Sequence, residues 1–82
     1  MAGHDYTTKG VCARRIHFDI ADDGTLSGVE FVGGCNGNLK AISKLVEGHD
    51  AREVAAILRG NTCGYKDTSC ADQLARAIEA AL

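Results

Sequence analysis

The apolar residues change period once along this chain, at Gly33-Gly34-Cys35-Asn36-Gly37-Asn38-Leu39-Lys40. Before that stretch, Ile16, Phe18 and Ile20, then Val29 and Phe31, alternate with polar residues. A period of two marks strands with one wet and one buried face. After it, Leu39, Ile42, Leu45 and Val46 recur on one helical face, with Lys40, Ser43, Lys44 and Glu47 on the other. Strands first and helices afterwards predict an α+β domain in two layers.

The punctuation supports this order. Met1 to Asp5 reads as a frayed start, and Tyr6-Thr7-Thr8 as strand-like. Gly10-Val11-Cys12 suits a bend, and Asp22-Asp23-Gly24 a hairpin turn. Gly28 marks a bulge in the following strand. Gly48 ends the first helix, and Asp50 with Glu53 opens a second that carries Val54, Ile57 and Leu58 and ends at Gly60. A loop, Asn61 to Asp67, precedes a third helix opened by Thr68 and Ser69, with Ser69 and Asp72 spaced as a cap. Leu74, Ile78, Ala81 and Leu82 give that helix its apolar face. The expectation is one domain over residues 1–82, an antiparallel hairpin or three-stranded sheet followed by three helices.

At 82 residues with no tryptophan and four Tyr and Phe together, the core is thin. Small domains of this kind often add a metal, disulfides or a partner chain, so a homodimer is expected. The net charge of −2 comes without a basic stripe interleaved with aromatics, which argues against nucleic acid. No apolar run reaches the roughly 20 residues that span a bilayer. The N-terminus lacks a basic start and an apolar region, so a cytoplasmic protein is expected.

Cys12, Cys35, Cys63 and Cys70 carry the chemistry to be explained. In a reducing compartment they are thiols, metal ligands or redox groups, and a packed, inert thiol is the ordinary alternative for any one of them. Cys35 and Cys70 fall at predicted helix starts, where the helix dipole stabilises a thiolate. They are the candidates for a catalytic role, which would need a base such as His4, His17 or His49. Zinc bound by all four cysteines is a second reading, although Cys63 and Cys70, with six residues between them, do not form a close Cys-x2-4-Cys pair. An anion site is the third. Free amides at a helix start attract phosphate, and Lys40 and Lys66 lie nearby in sequence. Its residues would be Gly33, Gly34, Cys35, Asn36, Gly37 and Asn38, with Thr68, Ser69 and Cys70 at the other helix start.

Three segments together resemble the TSCPD domain family: Gly10-Val11-Cys12, Gly33 to Leu39, and Cys63-Gly64 through Thr68-Ser69-Cys70-Ala71-Asp72-Gln73-Leu74-Ala75. Ala71 stands where that family's motif has proline; a first helical turn tolerates either. Such domains occur free-standing and at the C-terminal end of adenosylcobalamin-dependent ribonucleotide reductases. The resemblance implies a redox or accessory module linked to deoxyribonucleotide synthesis, with a reductase as a partner. A nucleotide or flavin-like cofactor would suit the two helix starts. The alternatives are a structural zinc module using the four cysteines and a thiol redox protein without a bound ligand. An 82-residue chain is too short to catalyse ribonucleotide reduction alone.

Overall fold

A computed structural model describes residues 2–11, 13–34, 36–62 and 68–82. Three strands precede three helices: β1 (Ala2–Thr7), β2 (Ala13–Ile20), β3 (Leu26–Gly33), α1 (Asn36–Val46), α2 (Ala51–Leu58) and α3 (Cys70–Ala81). The strands form an antiparallel sheet in the order β1-β2-β3. The α+β expectation holds, with the three-stranded form of the sheet.

β1 is longer than its sequence suggests. Gly3, His4 and Asp5, read as a frayed start, pair with Asp19, Phe18 and His17 across β2. Pairing with a neighbour satisfies their backbone groups, which outweighs a weak strand propensity. The bulge at Gly28 is present. Between the pairs His17–Glu30 and Asp19–Ser27, β2 advances two residues while β3 advances three. Gly28 has a φ of +62°, and a Cβ there would come within 2.8 Å of the Asp19 carboxylate.

The inner face of the sheet supplies Ile16, Phe18, Leu26 and Val29 to the core. α3 contributes Leu74 and Ile78, both fully buried, with Ala75 and Ala77. These alanines keep the helix close to its neighbours, and α2 adds Ala51, Val54 and Ala55. Leu39 and Val46 of α1 are buried as expected, but Leu45 is 72 % exposed and Ile57 of α2 is 77 % exposed. Both line an apolar groove between α1 and α2, with Ile42, Val46, Val54 and Leu58. Leu82 is also exposed, past the last turn of α3.

Among the described residues no helix is long and apolar enough to cross a membrane.

Candidate functional site

β1 ends, β2 begins and β3 ends at one edge of the sheet, as the pairings Thr7–Arg15 and Ala13–Gly33 require. α1 starts three residues beyond β3 at that edge. Gly34 is packed tightly there. With φ at +82°, a Cβ would lie 2.8 Å from Leu39 Cδ1 and 2.9 Å from the Ala13 amide nitrogen. The space where a side chain would project is filled by the protein's own atoms. Glycine is required by this close approach. Ala13 itself is buried beneath it, and Thr8 donates its hydroxyl to the Ala13 carbonyl.

The start of α3 meets the same edge through the β1–β2 loop. The Lys9 amide donates to Gln73 Oε1 at 3.3 Å, and Gln73 Nε2 donates to Thr68 Oγ1 at 2.9 Å. A Cβ on Gly10 would touch Thr68 Cγ2 at 3.9 Å. The β1–β2 loop thus touches the α3 start, and the first residue of β2 packs against Gly34.

Ser69 is the N-cap of α3, its Oγ accepting from the Asp72 amide at 3.1 Å. The same hydroxyl donates to the Asn61 carbonyl. Asp72 is fully buried and collects three donors: Thr68 Oγ1 at 2.6 Å, the Gly60 amide at 2.6 Å and Arg76 Nε at 2.8 Å. Arg59 Nε lies 3.9 Å from its other carboxylate oxygen. Burial pushes the Asp72 carboxyl up, but the bonds from Thr68, Gly60 and Arg76, with the charge of Arg76, outweigh burial and hold it below its ordinary value. Among the described residues every buried side-chain nitrogen or oxygen has a partner.

The residues expected to bind a ligand therefore differ in setting. The Thr68 and Ser69 hydroxyls are buried and committed to hydrogen bonds within the chain. Cys70, the first residue of α3, is half-buried. Gly33, Gly37 and Asn38 are exposed, and nothing approaches a Cβ built on Gly37 within 4 Å. The first turn of α1 has no acidic residue, whereas that of α3 holds Asp72. Asn36 begins α1. Cys12, Cys35 and Cys63, and Lys66 with them, lie outside the described residues. Among the described residues no group of three or more His, Cys, Asp or Glu is arranged to hold a metal ion.

The histidines stand elsewhere. His4 stacks on Phe18 with ring centroids 5.3 Å apart. His17 Nδ1 is 3.2 Å from Asp5 Oδ1 on the outer sheet face. His49 is exposed in the α1–α2 turn, where its carbonyl accepts from Leu26 at the start of β3. The sequence reading did not single out Gln73 or Asp72 as a contact to other segments. Their partners, Lys9 and Gly60, are separated from them by 64 and 12 residues.

These features define a small α+β domain in which the β1–β2 loop, Gly34 and the start of α3 meet at one end of the sheet. The chain belongs to the TSCPD domain family, whose model matches residues 1–82, the whole chain. No curated protein and no solved structure matches it.

Proposed function

We propose that this chain is a metal-binding accessory module in which Cys12, Cys35, Cys63 and Cys70 together hold one zinc ion. One observation carries the reading. Described residues close in sequence to three of these cysteines lie together: Ala13 packs against Gly34, Gly10 lies by Thr68, and Thr68 stands two residues before Cys70. Four thiolates are a complete tetrahedral set for structural zinc. Such a site releases binding free energy into folding, which suits a domain with so thin a core.

The α3 start is less suited to a phosphate than its sequence suggests, because Ser69 Oγ already accepts from the Asp72 amide and the buried Asp72 carboxylate places negative charge there. The open start of α1 keeps a second reading in view, a nucleotide or flavin-like cofactor held at Gly33, Gly37 and Asn38. Its support is the absence of acidic residues in the first turn of α1 and the free space over Gly37.

Either module is proposed to act beside a ribonucleotide reductase in a reducing, cytoplasmic setting; membership of the TSCPD family supports this reading. Self-association as a homodimer belongs to the same proposal, and the exposed Leu45 and Ile57 in one groove support it. Elemental analysis and an absorbance scan of the purified chain test both readings. Near one zinc per chain without visible absorbance supports the first; a flavin spectrum without metal supports the second. A colourless, metal-free protein with four titratable thiols leaves a ligand-free thiol protein.

A further inference from the structure

We infer that the open half of the β3 edge, with the flank of α1 beside it, is a docking groove for an extended acidic segment of a partner protein. The inference does not depend on the cysteines. β3 stands at one edge of the sheet and pairs with β2 alone. An edge strand turns alternate N–H and C=O groups away from its neighbour, where added backbone can pair with them. The chain itself covers the first half of this edge. Leu26 donates to the His49 carbonyl and accepts from the Gly48 amide, both at 2.8 Å, and the Gly28 amide donates to Glu47 Oε1 at 2.9 Å. Past the Gly28 bulge, from Val29 to Gly33, no group outside the sheet bonds to the backbone among the described residues.

A groove of about 250 Å³ runs along this open half. Val29, Glu30 and Phe31 form one wall, and Leu39, Lys40 and Lys44 of α1 the other. Val29 and Phe31 turn toward the core while Glu30 is exposed, so all three border one groove only along the backbone edge of the strand. Lys40, Lys44 and Glu47 follow at i, i+4 and i+7 on one face of α1. Glu47 already sets a carboxylate on this edge, and the two lysines carry the row onward. Both lysines are exposed, and neither forms an ion pair among the described residues. Residues four apart on a helix are spaced about 6 Å along its axis and alternate strand residues about 7 Å, so carboxylates two residues apart on an added strand match the pair. A second copy of this chain fits less well. Two-fold pairing of β3 with β3 sets α1 beside α1 and brings these lysines toward their own copies.

The test uses the whole chain and a fluorescein-labelled peptide of eight alternating Glu and Val residues, with a Lys-Val peptide of equal length as counterpart. The Glu-Val peptide is expected to bind at least about 10-fold tighter than the Lys-Val peptide at low salt. Lys40→Glu with Lys44→Glu is expected to weaken it at least about 10-fold. Lys9→Glu with Arg52→Glu, an equal change of net charge away from the groove, is expected to leave it within about 2-fold. Lys40→Gln with Lys44→Gln, a change in the same direction, serves if the reversal disturbs α1.

Amide exchange separates backbone pairing from charge attraction alone. Bound Glu-Val peptide is expected to slow exchange at least about 10-fold at one or more of Val29 to Val32. Failure of the Glu-Val peptide to bind, binding that leaves those amides unchanged, or binding that survives the loss of both lysines overturns the inference. So does displacement of the peptide by inorganic phosphate at matched ionic strength, which marks a simple anion site. Protection of Val29 to Val32 that grows with the concentration of the chain alone overturns it in favour of a second copy.

Discussion

The two ends of the sheet are closed by different means. At the β2–β3 turn, closure is backbone to backbone. Leu26 donates to the His49 carbonyl, Gly48 to Leu26, and Ala51 to Gly24, while Thr25 bridges Asp50. At the opposite end, where α1 and α3 begin, closure runs through side chains: Asp72, Gln73, Thr68 and Ser69. Backbone closure depends little on residue identity. Side-chain closure depends on it strongly, because a buried acceptor without donors, or donors without an acceptor, costs the full desolvation of each group. The family motif Thr68-Ser69-Cys70-Ala71-Asp72 lies at this second end. Its polar residues are explained by that dependence before any ligand is invoked.

The comparison breaks most readily at Asp72. Asp72→Ala leaves the Thr68 hydroxyl and the Gly60 amide without their acceptor and is expected to cost about 2–4 kcal/mol, read by urea unfolding. Acid should act on the same group. The folded carboxyl titrates below its ordinary value, so its contribution is complete above about pH 4 and is lost as pH falls through the lowered folded value. Asp72→Asn should flatten that acid limb.

Gly34→Ala comes next. The new methyl meets Leu39 and the Ala13 backbone at a positive φ, and a loss of about 1–3 kcal/mol is expected by thermal melting. Gly48→Ala, at the other end, has the same sign of φ and nothing within 4 Å, so its cost should stay near the conformational penalty of about 1 kcal/mol. Removing the Asp50 cap of α2 by Asp50→Ala should cost about 1 kcal/mol and leave the cysteine end unchanged, by the same unfolding assay with thiol titration. The smallest effect on stability, within about 0.5 kcal/mol, is expected for Leu45→Lys on its exposed face. Sedimentation should show that change converting a dimer to monomer; an unchanged sedimentation coefficient argues against the α1–α2 groove as the contact.

Local rules explain how far the sequence could be read. The hairpin pattern of Ile16, Phe18, Val29 and Phe31, the bulge at Gly28, and the caps Asp50–Glu53 and Ser69–Asp72 each depend on neighbours a few residues apart, and all are present. Leu45 and Ile57 sat at apolar positions of the right period yet face outward. Period locates a stripe but not the width of the surface that covers it. The polar start of β1 was hidden because its pairing comes from β2. The site was legible as a set of segments and not as a set of contacts. Nothing local to Asp72 indicates Gly60, and nothing local to Gln73 indicates Lys9.

Zinc content of the purified, reduced chain tests the central claim most directly. We expect close to one zinc per chain, with all four thiols slow to react until a chelator removes it. A chain free of metal, with four thiols reacting at the rate of free cysteine and no change on adding zinc, would contradict it.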